Sequence, residues 1–456
     1  MAIREAFIGA QWGDEGKAKI IDERVRAAQE QDNKRRIVVR FQGGPNAGHT
    51  MCFETRDGKE VKFVTHAAPS GLTSDSDIAI GPNVAYDPEK FLNEVRSAVE
   101  QFGYSAGIHI SERVGILFDY HRKMDGWQES KRDESSRIGT TKSGIGPFYM
   151  DNANRATRIT FADYIGDRFH DRLREVLKAK GHELPPETLT SDYLEQLIAT
   201  HDPIRAQLRF ASCRLEYRLQ EALRNNEHIF LEGAQGTMLD VDFGTNPDTT
   251  SSHLTAPAGL ASLGLPRSAF KIYLVEKVYP TRVGSGHMPT LDLGNFGKIV
   301  ALNSGEFGAT TGRKRRVGYP DLVIVRYSAM INDADGIYLT RADCVQDWPM
   351  NVCVAYQFDG QTIMEVPLKL EKAKPVYGDK TYSWRLWDGS RDLSDPLRND
   401  RAAIEARESY LAGGFKSLPL GIREFVKDHN EYVGKSILGI SIGPRRGQTI
   451  KAPVSF

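Results

Sequence analysis

The stretch Ala6-Phe7-Ile8-Gly9 followed by Gly13-Asp-Glu-Gly-Lys17 constrains this chain more than any other segment. A short apolar strand that runs into Gly, Gly and Lys is a backbone shaped to approach phosphates. Glycines let N–H groups close on an anion without a Cβ in the way, and a lysine adds a point charge. A carboxylate beside phosphates is repelled unless it holds a metal or moves a proton, so Asp14 marks chemistry as well as binding. The common Walker loop needs four residues between its first glycine and Gly-Lys, then Ser or Thr. Here Gly9 to Gly16 is too long and Ala18 follows Lys17. The alternative for the loop alone is a surface turn with a charged tip.

Short apolar runs alternate with longer amphipathic ones along the 456 residues, which predicts an α/β fold with a central, mostly parallel sheet flanked by helices. Strands are expected at 6–9, 37–41, 77–80, 107–110, 228–232, 270–275, 336–340 and 436–440. Helices are expected at 163–180, 204–225, 322–332 and 402–412. A hairpin over 352–368, turning at Asp359-Gly360, adds a smaller C-terminal elaboration. No linker divides the chain, so one elaborated domain over 1–456 is expected, with 181–190 as a surface connection.

Gly-rich or charged turns follow the expected strands at 13–17, 43–50, 233–237, 341–343 and 441–444. In an open α/β sheet the carboxyl ends of parallel strands line the ligand crevice, so these five turns predict one composite site resembling the strand-end nucleotide site of P-loop GTPases. Lys+Arg and Asp+Glu are equal at 60 each, which gives no global pointer to nucleic acid or a membrane surface. Cys52, Cys213, Cys344 and Cys353 lack the spacing of a zinc site or a disulfide framework. With no signal-like or membrane-spanning run, a soluble cytoplasmic protein is expected.

Six segments in order carry a family resemblance: Gln11–Lys17, Gln42–Thr50, Ile138–Pro147, Glu232–Thr237, Thr281–Gly284 and Gly308–Arg316. Together they resemble adenylosuccinate synthetases, which condense inosine 5′-monophosphate (IMP) with L-aspartate using GTP and Mg2+. The resemblance implies that the purine 6-oxygen is first phosphorylated and that the aspartate amine then displaces phosphate.

By that resemblance Asp14 is the base that takes the N1 proton and His49 the acid at the 6-oxygen, with Lys17 and Gln235 completing the catalytic set. Asp14 and the carbonyl of Gly48 would hold Mg2+, a hard cation that usually keeps phosphates and waters. Asp14, Glu15, Gly16, Lys17, Gly48 and Thr50 would lie on the GTP phosphates. Arg341, Asp343, Ser441, Gly443 and Pro444 would surround guanine, the Asp343 carboxylate accepting from its N–H groups. IMP would contact Asn46, Thr140, Thr141, Thr250, Gln235, Val283, Gly284 and Arg313, with Arg155 entering from the other subunit of a homodimer. Thr310, Thr311, Arg313 and Arg315 would receive the two carboxylates of aspartate. Read from the residues alone, Thr140-Thr141 is equally a helix-capping pair, 340–343 a solvated turn, and 313–316 a solvated or nucleic-acid-facing basic patch.

Pro45, Ala18, Lys142-Ser143, Arg341 and Ile442 depart from the residues usual in the family. The run Pro45–His49 also resembles a related branch that makes 2-aminoadenylosuccinate from (d)GMP. That branch often has a smaller residue where Asp14 stands, so the retained carboxylate favours IMP. A second alternative, of another class, is a GTP-binding switch without ligase chemistry. Gln235 and the arginine loop argue against it, because a switch needs no pocket for a second substrate.

Overall fold

The computed structural model of the protein describes residues 2–55, 58–133, 140–284, 286–306, 315–387 and 401–453. Three predicted site residues, Thr310, Thr311 and Arg313, lie outside them. Strand β1 (Arg4–Gly9) is followed by helix α1 (Lys17–Gln31), then β2 (Arg36–Gly43), a hairpin of β3 (His49–Glu54) and β4 (Glu60–Thr65), and β5 (Asp77–Val84). Further along are β6 (Ile108–Ser111), β7 (Ser212–Cys213), β8 (His228–Glu232), β9 (Lys271–Lys277), β10 (Thr281–Arg282), β11 (Arg316–Val317) and β12 (Gly336–Thr340). The remaining strands are β13 (Met350–Phe358), β14 (Gln361–Ile363), β15 (Lys374–Tyr382), β16 (Ile437–Ser441) and β17 (Thr449–Lys451).

The main sheet has ten strands in the order β17-β16-β12-β9-β1-β8-β2-β5-β6-β7. All its pairings are parallel except β16 with β17. β1 explains why: Ala6 and Ile8 join one apolar cluster while Phe7 joins another, so both faces are covered. Helix α1 covers the second face with Ile20, Ile21, Val25 and Ala28. A strand buried on both sides reads as a continuous apolar run, and such strands are the parallel ones.

β1 lies between β8 and β9, with earlier strands beyond β8 and later ones beyond β9. The chain order therefore reverses around β1, and the crevice at the carboxyl ends of β1, β8 and β9 is the switch point where ligands bind in such sheets. The C-terminal elaboration is a separate sheet of order β14-β13-β15. Asp359 and Gly360 turn its first hairpin at φ 47° and 83°, the positive values a two-residue loop demands.

The expected strands all form. Two expected helices are each divided. Residues 163–180 break into helices Phe161–Ile165 and Phe169–Lys180, with Gly166 extended between them. Residues 204–225 contain the end of helix Ser191–Leu208, then edge strand β7, then helix Leu215–Arg224. β7 pairs with β6 through only Ile110↔Ser212 and Ser111↔Cys213, too short a strand to leave a periodic signature. No helix among the described residues is long and apolar enough to cross a membrane.

Candidate active site

The first glycine loop is built around its own glutamate. Gly13, Asp14 and Gly16 have φ of 94°, 62° and 84°, so the loop reverses tightly before α1. Glu15, fully buried, turns inward: its Oε1 accepts from the N–H groups of Gln11 and Gly13 at 3.1 and 2.8 Å. Its Oε2 lies 2.7 Å from the Lys17 ammonium. A Cβ on Gly9 would stand 2.4 Å from Glu15 Oε2, and one on Gly236 2.5 Å from Glu15 Oε1. The buried carboxylate thus dictates glycine on both β1 and the loop after β8.

Lys17 also donates to the backbone carbonyl of Gln235. Gln235 itself sits at φ 52°. Its side-chain amide donates to Asn46 Oδ1 at 3.2 Å, while its Oε1 is buried without a hydrogen-bond partner. One residue therefore touches both glycine loops and keeps an acceptor unspent.

The second loop rests on a buried arginine. Arg40, on β2, is fully buried and donates to the carbonyls of His66 and, at 2.8 Å, Gly44. His66 Nδ1 in turn lies 2.7 Å from the carbonyl of Ala47. These contacts fix the path of residues 44–48 and deliver His49 to the start of β3. His49 Nδ1 is hydrogen-bonded to Glu232 Oε1 at the end of β8. Glu232 Oε2 accepts from the Ser70 amide at 2.8 Å and its hydroxyl at 2.6 Å. Burial lowers the His49 pKa, against the pull of Glu232. Burial alone would raise Glu232, but His49 and Ser70 outweigh it and hold the carboxyl below its usual range.

Asp14 is aimed elsewhere. Its Oδ2 lies 2.9 Å from Arg315 Nε, and its side chain is 30% exposed. Arg315, which the resemblance assigns to aspartate, thus meets the expected base directly. Gly48 is half-buried and Thr50 exposed. A carboxylate and a backbone carbonyl are hard oxygen donors suited to Mg2+. Among the described residues, Asp240, Asp242 and His253 also offer three ligand atoms within 4.8 Å of one another. There Asp240 already accepts from the amides of Asp242, Phe243 and Leu254, and none of the three belongs to the predicted set.

The other predicted residues line neighbouring turns. Helix α2 (Pro88–Phe102) and helix α3 (Asp119–Ser130) precede α4 (Ile145–Ala153). Thr140 Oγ1 donates to Asp125 Oδ2 at 3.0 Å and accepts from the Lys142 amide at 3.2 Å, and Thr141 bonds Ser143 at 3.0 Å. The pair stabilises the turn into α4, which reaches the second loop where Ile145 abuts Gly44. Arg155, just past α4, is exposed. Thr250 and Val283 are half-buried, and Gly284 is exposed at φ 82°. Arg341, at φ 63°, donates to the carbonyl of Ser304 at 3.3 Å, and Asp343 is buried in the turn after β12. Lys19 bonds Ser441 and Thr449 within electrostatic reach of Asp343, joining the turns after β12 and β16. Gly443 is buried and Pro444 half-buried in that second turn.

The sequence reading missed Glu232, Arg40, Lys277 and Glu306. Arg40 interrupts the apolar run of β2, a signal that could have found it, whereas Glu232 and Lys277 are the last residues of β8 and β9, where a charge reads as the start of a turn.

The adenylosuccinate synthetase family model matches residues 6–450. An adenylosuccinate synthetase of Alkaliphilus metalliredigens is 34% identical over 454 residues, covering 97% of each chain. The fully ligated adenylosuccinate synthetase of Plasmodium falciparum superposes with TM-score 0.83 at 27% identity, covering 99% of this chain and 100% of the other. The cyanophage S-2L succinoaminodeoxyadenylate synthetase, bound to dGMP and dATP, matches with TM-score 0.59 at 16% identity over 99% and 96% of the two chains, a likeness of fold alone. Family, sequence relatives and structure agree on the ligase rather than on a nucleotide switch or the diaminopurine branch: the chain belongs to the adenylosuccinate synthetase family, ligases of purine nucleotide biosynthesis.

Proposed function

We propose that the chain joins IMP to L-aspartate at the expense of GTP through a 6-phosphoryl-IMP intermediate, working in the cytoplasm as a single domain over 1–456 within a homodimer. The observation that carries this reading is the position of Gln235 between the two glycine loops, its Oε1 buried without a partner. A buried acceptor left unspent costs stability unless a ligand's donor meets it, and a purine base next to Asn46 would do so.

In this reading Asp14 removes the proton from N1, so that electrons flow to the 6-oxygen as it attacks the γ-phosphoryl group and GDP leaves. His49 donates a hydrogen bond to the developing charge at the 6-oxygen, and Glu232 holds its ring and supports the imidazolium. The aspartate amine then adds at C6 and phosphate departs. Lys17, the amides of Glu15 and Gly16, and Thr50 take the GTP phosphates; Arg341, Asp343, Ser441, Gly443 and Pro444 take guanine. Mg2+, held by Asp14 and the Gly48 carbonyl, would neutralise phosphate charge during transfer. Asn46, Thr140, Thr141 and Thr250 bind the 5′-phosphate, and Val283 and Gly284 flank the ribose. Arg313 and Arg315, with Thr310 and Thr311, receive aspartate.

An exposed Arg155 beside α4 is free to meet a second subunit's IMP phosphate. Phosphate release that requires GTP, IMP and aspartate together tests the reading. Release without aspartate, or faster release with dGMP than with IMP, would contradict it.

A further inference from the structure

A second buried charge cluster, centred on Glu306, which is 1% exposed, meets the first glycine loop through Arg315 and Asp14. Glu306 follows helix Asn295–Ser304, whose C-cap Gly305 adopts φ 60°. Its Oε1 accepts from Tyr279 Oη at 2.8 Å and from Lys277 Nζ at 3.1 Å. Its Oε2 accepts from Arg315 Nη1 at 2.6 Å. The backbone adds a further tie, Arg315 N–H to the Glu306 carbonyl at 2.9 Å. Burial alone would raise the Glu306 pKa, but Lys277, Arg341 and Arg315 outweigh it, so the group stays ionised.

The guanidinium of Arg315 is consequently held by hydrogen bonding at Nη1 and only by charge at Nε. Nη1 is fixed by Glu306. Nε stands 2.9 Å from Asp14 Oδ2, yet its N–H has no aligned acceptor among the described residues. Two cations, Lys277 and Arg315, face two carboxylates, the buried Glu306 and the part-exposed Asp14, so Arg315 is anchored on the buried side while its other neighbour borders the first loop. A planar fork anchored on one side and short of an acceptor on the other is suited to a carboxylate.

We infer that Glu306 is a positioning residue that sets Arg315 for a carboxylate of the amino-acid substrate; this rests on the reading of Arg315 as an aspartate-binding residue. Glu306 touches no substrate itself. Lys277 serves as its counter-charge, keeping the carboxylate ionised where a lone buried anion would be neutralised.

The test is the steady-state kinetics of the full-length enzyme. Glu306→Gln alone leaves Lys277 buried without its counter-ion, so it is paired with Lys277→Met; Glu306→Asp, which keeps the charge, serves as the conservative variant. The double variant should raise the KM for aspartate about 10- to 100-fold, the worth of one charge-assisted hydrogen bond, while the KM values for IMP and GTP stay near wild type. Glu306→Asp should fall between the two. In an Arg315→Leu background the double substitution should add nothing further to the KM for aspartate. An unchanged KM for aspartate in the double variant, or equal increases for all three substrates, would overturn the positioning role. An Arg315→Leu enzyme with an unaltered KM for aspartate would instead overturn the parent reading.

Discussion

His49 and Glu232 form a buried hydrogen-bonded pair that ties the start of β3, in its own hairpin, to the end of β8 in the main sheet, with side chains 7% and 0% exposed. Because Glu232 engages Nδ1 and is itself held by Ser70, it fixes both the ring's orientation and which nitrogen faces the crevice. A carboxylate that orients a histidine in this way also stabilises its protonated form.

Replacing Glu232 by Gln should lower kcat by about 10² to 10⁴ with little change in the KM for GTP. Losing the carboxylate removes the group that raises the His49 pKa. A histidine acting as acid is active below its pKa, so the alkaline limb of the kcat–pH profile should move to lower pH. A pH profile of the variant that overlays wild type would remove Glu232 from the mechanism.

Asp14→Asn should bind GTP and IMP nearly as well as the parent enzyme while turnover falls by about 10² or more. The same substitution frees Arg315 of its charged neighbour, so the KM for aspartate should not rise. Calorimetric titration with each nucleotide, alongside kcat, checks both statements.

The glycine at position 9 should tolerate no side chain. A methyl group there meets Glu15 Oε2 at 2.4 Å and the Gln235 carbonyl at 2.5 Å, atoms that also hold Lys17. Gly9→Ala should cost about 1–3 kcal/mol of stability and weaken GTP binding, seen as a lower Tm and a smaller upward Tm shift on adding GTP.

Asp77 supplies a pH-dependent part of the stability. Desolvation raises its pKa, but His109, the Gly107 amide and Arg35 outweigh this and hold it below the usual carboxylate range. Arg35 lies at 2.7 Å. A group with a depressed folded-state pKa stabilises above its unfolded value of about 3.9 and loses that contribution as the pH falls toward the folded value. Asp77→Asn should therefore lower Tm at pH 7, and the gap to wild type should shrink as the pH is taken below about 4.

Mixing two inactive variants, Arg155→Leu and Asp14→Asn, should restore partial activity if Arg155 serves the neighbouring subunit's site. The mixed dimer then holds one site with both groups intact. No recovery after subunit exchange would place Arg155 outside the site.

Much of the sheet was legible in the sequence because its strands are buried on both faces. The runs 228–232 and 336–340 coincide with β8 and β12. Helical periodicity was a poorer guide near 204–225, where the two-residue strand β7 earns its place only by pairing with β6. The glycine loops were visible because glycine spacing is local. Glu232, Lys277 and Glu306 were not, since a charge at the end of a strand or helix looks like a solvated turn until the fold buries it. Asp14 was expected to act with His49; what the structure adds is its contact with Arg315, a residue about 300 positions away that only the packing of the 315–317 segment against the first loop brings near.

The origin of the oxygen in the released phosphate is the most direct test of the proposed chemistry. With IMP labelled with 18O at position 6, GTP and aspartate, each turnover should yield inorganic phosphate carrying the label, because the purine oxygen leaves on phosphorus. Unlabelled phosphate, with the label retained in the nucleotide or lost to water, would contradict capture of the 6-oxygen and with it the roles given to Asp14 and His49.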